Sequence, residues 1–354
     1  MKKFFAFLAL FVFVAYGKER LFIIERETSS VAVVEDGKFI GRIENLHNLN
    51  HAVIKFYGKK GYLITRDGYL IKFDPENLKA EKEIKVGESS IGFVVDNDYI
   101  AVANYSTKSV IILDKDLNIL QQIETDSRNV GIKNYKDYLV FALMDKDELW
   151  VLKRVNGRFN LFKRFKNVGQ VPFDAMIKDN LYIVGFFNSP FIGVLNLDDM
   201  RLMQVFLLSE NKEPVLKVPH FGMWAIEKDK IVIPSVGDKS INIFDNDFNI
   251  IKKVNTIGLP VFTVFSPDGK LLAITFSGKE FNTIQIVDIN KMEITKTLTF
   301  DGKILHVRWS EEKPLLYISV NDSNKVICID TIVWEEKFNV QIIKPSGIFL
   351  YKKE

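Results

Sequence analysis

The chain has 354 residues, 47% hydrophobic and 26% charged, which is ample for a large core and excludes a disordered or collagen-like polymer. Its formal charge of +3 falls close to neutrality if Lys2 and Lys3 leave with a leader, so the balance implies neither nucleic acid nor a general attraction to membranes. Cys328 is the single cysteine, which excludes an internal disulfide and a Cys-x-x-Cys-His site for covalent c-type haem.

Residues 1–17, MKKFFAFLALFVFVAYG, open with two lysines and run apolar to Ala15. Ala15 and Gly17 supply small residues at the −3 and −1 positions of a cleavage site. This reads as a secretory signal peptide, with an exported, soluble protein expected from about Lys18. An uncleaved anchor is the alternative, but the run is short for a bilayer span. Residues 18–354 read as one domain.

A single strand, Leu21–Glu25, follows the leader. An apolar run, usually closed by an acid, then recurs as Val31–Glu35, Gly68–Asp74, Ser109–Asp114, Glu148–Lys153, Phe191–Asp198, Ser240–Asp245, Thr283–Asp288 and Lys325–Asp330. Only the fourth lacks the acid, and the run ends lie 39 to 47 residues apart. Lys217 to Asp245 displays one unit: strands Gly222–Ile226, Lys230–Pro234 and Ser240–Asp245, with turns at Glu227–Asp229 and Ser235-Val236-Gly237-Asp238. A fourth strand, Asn249–Val254, follows. Short apolar runs broken by Gly, Asn and Asp signal antiparallel strands. Four strands in a period of this length mark a β-propeller, so the fold class is all-β with eight blades. After the eighth run come a fourth strand, Phe338–Ile343, and an orphan, Ser346–Tyr351, which has the form of an innermost strand. Set beside Leu21–Glu25, it completes the first blade and closes the ring.

In such a blade the segment entering the innermost strand and the loop joining strands two and three share one rim of the central channel. The entering segments carry His51, Ser90, Arg128, Pro172-Phe173, His220, Phe262, His306 and Ser346. The loops carry Arg66-Asp67, Asn104-Tyr105, Asp145, Asn188, Asp238, Gly278 and Asn321-Asp322. A lone histidine opening a strand is more often a packing residue, but here three of four histidines share one phase of the repeat. His47 falls off that phase and reads as solvated. Asp67, Asp238 and Asp322 are accounted for by turn chemistry, and Trp150, Trp224, Trp309 and Trp334 by the blade core. Arg128 and Asp145 sit in one blade, as a simple ion pair or as ligand-binding groups. Histidines for a metal, arginines for carboxylates and aromatics for a flat ring suit a tetrapyrrole. No spacing fits structural zinc, a nucleotide loop or a hydrolytic nucleophile.

Pro172-Phe173-Asp174-Ala175-Met176-Ile177, Val218-Pro219-His220, Ile233-Pro234-Ser235-Val236-Gly237, Gly258-Leu259-Pro260-Val261-Phe262, Leu305-His306 and Pro345-Ser346-Gly347-Ile348-Phe349 together resemble the NirF family. These are haem d1 biosynthesis proteins related to the d1 domain of cytochrome cd1 nitrite reductase. Asn50-His51-Ala52, Arg66-Asp67-Gly68, Asn104-Tyr105 and Ser127-Arg128 through Asp145 match in the same order. Two loops depart from the pattern: Ser106-Thr107-Lys108 lacks a proline, and Ser277-Gly278-Lys279 lacks a His-Pro pair.

The resemblance implies a periplasmic propeller that binds haem d1 or its late precursor non-covalently and acts in the last stages of making that cofactor. It implies His51, then His220, as iron ligands, and His51, Arg128 and Asp145 as catalytic candidates. His51, Arg66, Tyr105, Arg128, His220, His306 and Ser346 are the implied cofactor-binding set. Implied partners are other haem d1 biosynthesis proteins and cytochrome cd1 nitrite reductase; a homodimer is a candidate assembly. Two readings stay open: an enzyme that alters the macrocycle, or a protein that holds and delivers it. A lactonase-like propeller without haem is a third, but it calls for acidic metal ligands where this mouth is rich in His and Arg.

Overall fold

The computed structural model describes residues 19–207, 226–227 and 229–352. The proposed leader, His220, Trp224 and residues 222–225 of one expected strand lie outside the described residues. Among those described, the strands form eight four-stranded antiparallel sheets. Helix is confined there to two short 3-10 turns, Val236–Asp238 and Gly278–Glu280.

Blade two sets the pattern: Val53–Tyr57 innermost, then Lys60–Ile64, Tyr69–Asp74 and the outer Lys79–Lys85. The other inner strands are Ser89–Val95, Asn129–Tyr135, Pro172–Lys178, Leu259–Phe265 and Ile304–Trp309 in blades three, four, five, seven and eight. In blade six the described part of the first strand is Ile226–Glu227, paired with Ile231 and Lys230. Blade one takes its inner strand, Pro345–Lys352, from the other end of the chain.

Third strands such as Ser109–Leu113 and Ser240–Phe244 are buried along their whole length. Both faces of each blade meet a neighbour, so these strands read as continuous apolar runs rather than alternating ones. Outer strands such as Lys79–Lys85 are mostly exposed and charged. Phe22, Ile54, Ile71 and Phe73 fill the space between blades one and two. Among the described residues seven further apolar clusters fill the remaining spaces, and one, around Leu21, Tyr317, Cys328 and Ile348, joins blade eight to blade one.

The aspartate that closes most of the runs is turn chemistry, whereas Glu35 at the end of the first pairs with Arg20 Nε at 2.6 Å. Asp74 Oδ1 accepts the N–H groups of Glu76 (2.8 Å) and Asn77 (3.1 Å), and Asp114, Asp245 and Asp288 do the same two to four residues on. An Asx side chain that bonds its own following backbone fixes the tight turn from strand three to strand four. In blade five this role falls to Asn196, which accepts the N–H of Asp198 at 2.9 Å. The strand there ends at Asn196, two residues before the expected Asp198. The fourth strand of blade eight is Glu335–Gln341 and not Phe338–Ile343, because an outer strand needs backbone pairing more than apolar side chains.

Candidate ligand site at the channel mouth

Inner strands need a device to turn side chains toward the axis. In blades three, four, five, seven and eight the pairing of strand one with strand two shifts register, between Ser90 and Gly92, Val130 and Lys133, Pro172 and Ala175, Pro260 and Phe262, and Ile304 and His306. The closing strand of blade one shifts between the partners of Ile23 and Glu25. A bulge kinks its strand and re-aims the residues around it. Here the bulges fall at the rim end, beside Phe173, Phe262, His306 and Ser346.

A second device, in blades two, four and eight, ties the loop to the segment entering the same blade. Arg66 N–H donates to Asn48 O (2.8 Å), and Asn48 N–H donates to Asp67 Oδ1 (3.2 Å). In blade eight Asn321 N–H donates to Lys303 O (2.8 Å), and Lys303 N–H to Asp322 Oδ2 (3.2 Å). In blade four Met144 N–H donates to Arg128 O (3.0 Å), and Arg128 N–H to Asp145 Oδ2 (2.8 Å). Asp67, Asp145 and Asp322 are thus one structural position. Asp67 and Asp322 clamp the neighbouring segment instead of capping their own turn. Asp238, 2.8 Å from Lys253 Nζ, is held differently.

Asp145 does more than its counterparts. Its Oδ1 also accepts Arg128 Nε at 2.7 Å and lies 2.6 Å from Nη2. Partial burial pushes its carboxyl up, but the bonds from the Arg128 side chain and backbone outweigh this and hold it below the ordinary carboxylate range. The pair therefore stays ionised at neutral and mildly acidic pH. Arg128 Nη1 donates to Tyr105 Oη at 2.9 Å, and the Tyr105 ring has Arg66 Cζ 4.9 Å and Arg128 Cζ 5.3 Å from its centroid. Two guanidiniums against one ring make a rigid basic ledge. Behind it, buried Asn104 donates to Val86 O (2.7 Å) and accepts Ser90 Oγ (2.6 Å), fixing the backbone that presents Tyr105. An open groove of about 490 Å³ runs outward from Tyr105 and Arg128 to Glu124.

Arg26 stands at the equivalent position of blade one and was missed by the sequence reading. It lies in the loop joining strands two and three of blade one, the position Arg66 holds in blade two. Its Nε is buried without a hydrogen-bond partner, and burial lowers its affinity for a proton. The adjacent Glu25 is no help. Its Oε2 accepts Ser30 Oγ and Arg42 Nε, each at 2.7 Å, and its Oε1 accepts Ile343 N–H at 2.9 Å. A half-buried guanidinium that its neighbour cannot neutralise is costly unless an anion arrives.

His306 packs among aromatics, with the Phe262 ring 5.9 Å and the Phe349 ring 6.1 Å away. Its Nδ1 accepts Ile348 N–H at 3.4 Å. In the neutral ring this puts the proton on Nε2, which makes Nε2 a donor. An iron-ligating Nε2 calls for the opposite arrangement, with Nδ1 donating. His51 is exposed in a turn with φ of 60°, directly before the inner strand of blade two. His47 is not merely solvated: it stacks on Tyr69 at 3.8 Å and lies 3.0 Å from Glu83. Ser346 is buried, and its hydroxyl donates to Ile24 O at 3.2 Å within the closing sheet. Trp150 and Trp309 are buried in the core and Trp334 packs against it. Among the described residues no three His, Cys, Asp or Glu side chains group as a protein-only metal site.

An eight-bladed ring with a basic, aromatic mouth defines the class. The model of one family, the cytochrome D1 heme domain, matches residues 16–354, and the chain belongs to that family. It is 27% identical to the protein NirF of Stutzerimonas stutzeri over 92% of this chain and 90% of that one. It is 28% identical to the protein NirF of Pseudomonas aeruginosa, again over 92% and 90%. Among solved structures, it is similar to the dihydro-heme d1 dehydrogenase NirN in complex with DHE, with a TM-score of 0.82 and 22% identity over 93% of this chain and 74% of that one.

Proposed function

We propose that this protein binds haem d1 or its late precursor at the channel mouth and acts, in the periplasm, in the final maturation of that cofactor for cytochrome cd1 nitrite reductase. The observation that carries this is Arg26: its buried Nε has no partner, and it stands at the same phase as the Arg66–Tyr105–Arg128 ledge, in a chain of the cytochrome D1 heme domain family. A tetrapyrrole with several acidic side chains supplies both the anions and the flat ring such a rim requires. Arg26, Arg66 and Arg128 hold carboxylates, with Asp145 as the positioning residue that orients Arg128. When bound, the group would supply an iron suited to an imidazole nitrogen; His51 would hold it, with His220 the alternative. His306 gives a hydrogen bond from Nε2 to the macrocycle.

With one cysteine, this chain attaches no c-type haem, so any redox step on the macrocycle needs an electron acceptor from outside. Turnover of purified precursor, with and without such an acceptor, separates maturation from holding and delivery. Other haem d1 biosynthesis proteins and the reductase are the partners this reading implies.

The histidines separate by spectrum. His51→Ala is expected to change the absorbance bands of bound haem d1, because it removes the imidazole that would hold the iron. His306→Ala is expected to weaken binding several-fold and leave those bands in place. Absorbance titration of each variant is the check; altered bands in His306→Ala with unchanged bands in His51→Ala would reverse the assignment.

A further inference from the structure

The mouth does not account for two lysines inside the channel. Lys55 lies on the inner strand of blade two and Lys133 on that of blade four. They stand four and five residues past His51 and Arg128 respectively, so at about 3.3 Å per residue they lie roughly 13–17 Å in from the rim. Both keep part of their surface accessible although protein surrounds them, as befits side chains lining a channel.

The charge of Lys133 bears on Lys55. Burial first, and then the charge of Lys133, bring Lys55 down to about 7, partly offset by Asp174 on the inner strand of blade five. Burial displaces Lys133 in the same direction, again with Asp174 opposing. Among the described residues neither lysine has a carboxylate within ion-pair distance; Lys55 Nζ lies 5.4 Å from the Phe93 ring centroid. The bulge that aims Lys133 inward is held in place. Gly131 has φ of 61° and sits so close to blade five that a Cβ there would fall 2.8 Å from Phe173 O. Tyr182 Oη donates to Gly131 O at 2.7 Å. Among the described residues two amines and one carboxylate, carried by three blades, share a space where water is confined, and burial holds back the protonation that an arriving anion would favour.

We propose that Lys55 and Lys133 form an anion site inside the channel, beneath the mouth, for a small oxyanion or carboxylate. The observations leave two sources for that chemistry, a free small anion and a pendant carboxylate of a ligand seated above. The site's existence does not depend on the tetrapyrrole reading. Desolvated donors bind such an anion more strongly than exposed lysines do, because charge-assisted hydrogen bonds gain strength where water is scarce.

The test is titration of sodium acetate, against sodium chloride at equal ionic strength, into the mature protein with 13C-labelled lysine. Lysine Cε resonances are followed by NMR and assigned with Lys55→Met and Lys133→Met. Acetate is expected to move both resonances saturably, with chloride far weaker, and each variant is expected to weaken acetate at least tenfold. Methionine keeps the length and removes a buried polar amine, so the melting temperature should hold or rise; Lys133→Gln is the second variant should Lys133→Met misfold. Identical, non-saturating shifts in the two salts would overturn the proposal. In a second arm haem d1 is titrated with acetate present. Competition that vanishes in Lys55→Met identifies a ligand carboxylate as the occupant, and an unchanged haem d1 affinity identifies a free anion; either result upholds the site.

Discussion

Ending the chain after Lys344 is expected to leave a protein that no longer unfolds as one cooperative unit. The missing strand, Pro345–Lys352, pairs along its length with Glu19–Glu25. Its side chains alternate between two cores. Ile348 and Leu350 enter the cluster shared with blade eight, and Phe349 and Tyr351 the cluster shared with blade two. Burying a large apolar side chain contributes about 1.5–3 kcal/mol, so the four together, two of them half-buried, contribute several. Their loss also opens a sheet edge beside Phe22 and Ile24. Domains are stable by only about 5–15 kcal/mol, so the deletion removes a large share of the margin. Circular dichroism melting and size-exclusion chromatography are the measurements. A single transition at the wild-type midpoint would contradict closure of the ring by this strand.

The second large effect is on ligand affinity. Arg26→Ala is expected to weaken haem d1 binding by ten- to a hundredfold while the free protein melts no lower than wild type. The two signs have one cause: the unpartnered buried Nε disfavours the empty fold and favours an anionic ligand. Arg128→Ala should weaken binding by about 2 kcal/mol, with a small loss of stability, because Asp145 loses its guanidinium partner but keeps the Arg128 backbone N–H. A merely structural Arg26 would show the opposite, a lower melting point with unchanged affinity. Absorbance titration and thermal melts on the same preparations decide between them.

Much of the ring was legible because its signals are local. Most of the closing acids are Asx-turn residues, and the third strands are apolar runs because both their faces are covered. The strand missing at one end and surplus at the other gave the closure that the pairing of Leu21 with Leu350 displays. Blade five misled by two residues because Asn196 does the work of the acid. The site was legible in part. Arg66, Tyr105, Arg128 and Asp145 do meet, and the last two form an ion pair. Arg26 escaped because its blade is assembled from both chain ends, so its loop was not counted with the others. Lys55 and Lys133 look like ordinary strand residues; only closure of the ring sets their two inner strands around one channel. Nothing in the sequence marks the turn at His51 or the bond from Ile348 that fixes the His306 proton.

The most direct measurement is an equilibrium titration of haem d1 into the purified wild-type protein, followed by absorbance, with b-type haem titrated alongside. A saturable shift of the haem d1 bands is expected at about one equivalent per chain, with much weaker binding of b-type haem, whose fewer carboxylates cannot engage three arginines. Non-saturating spectra, or equal affinity for the two tetrapyrroles, would contradict the proposed function.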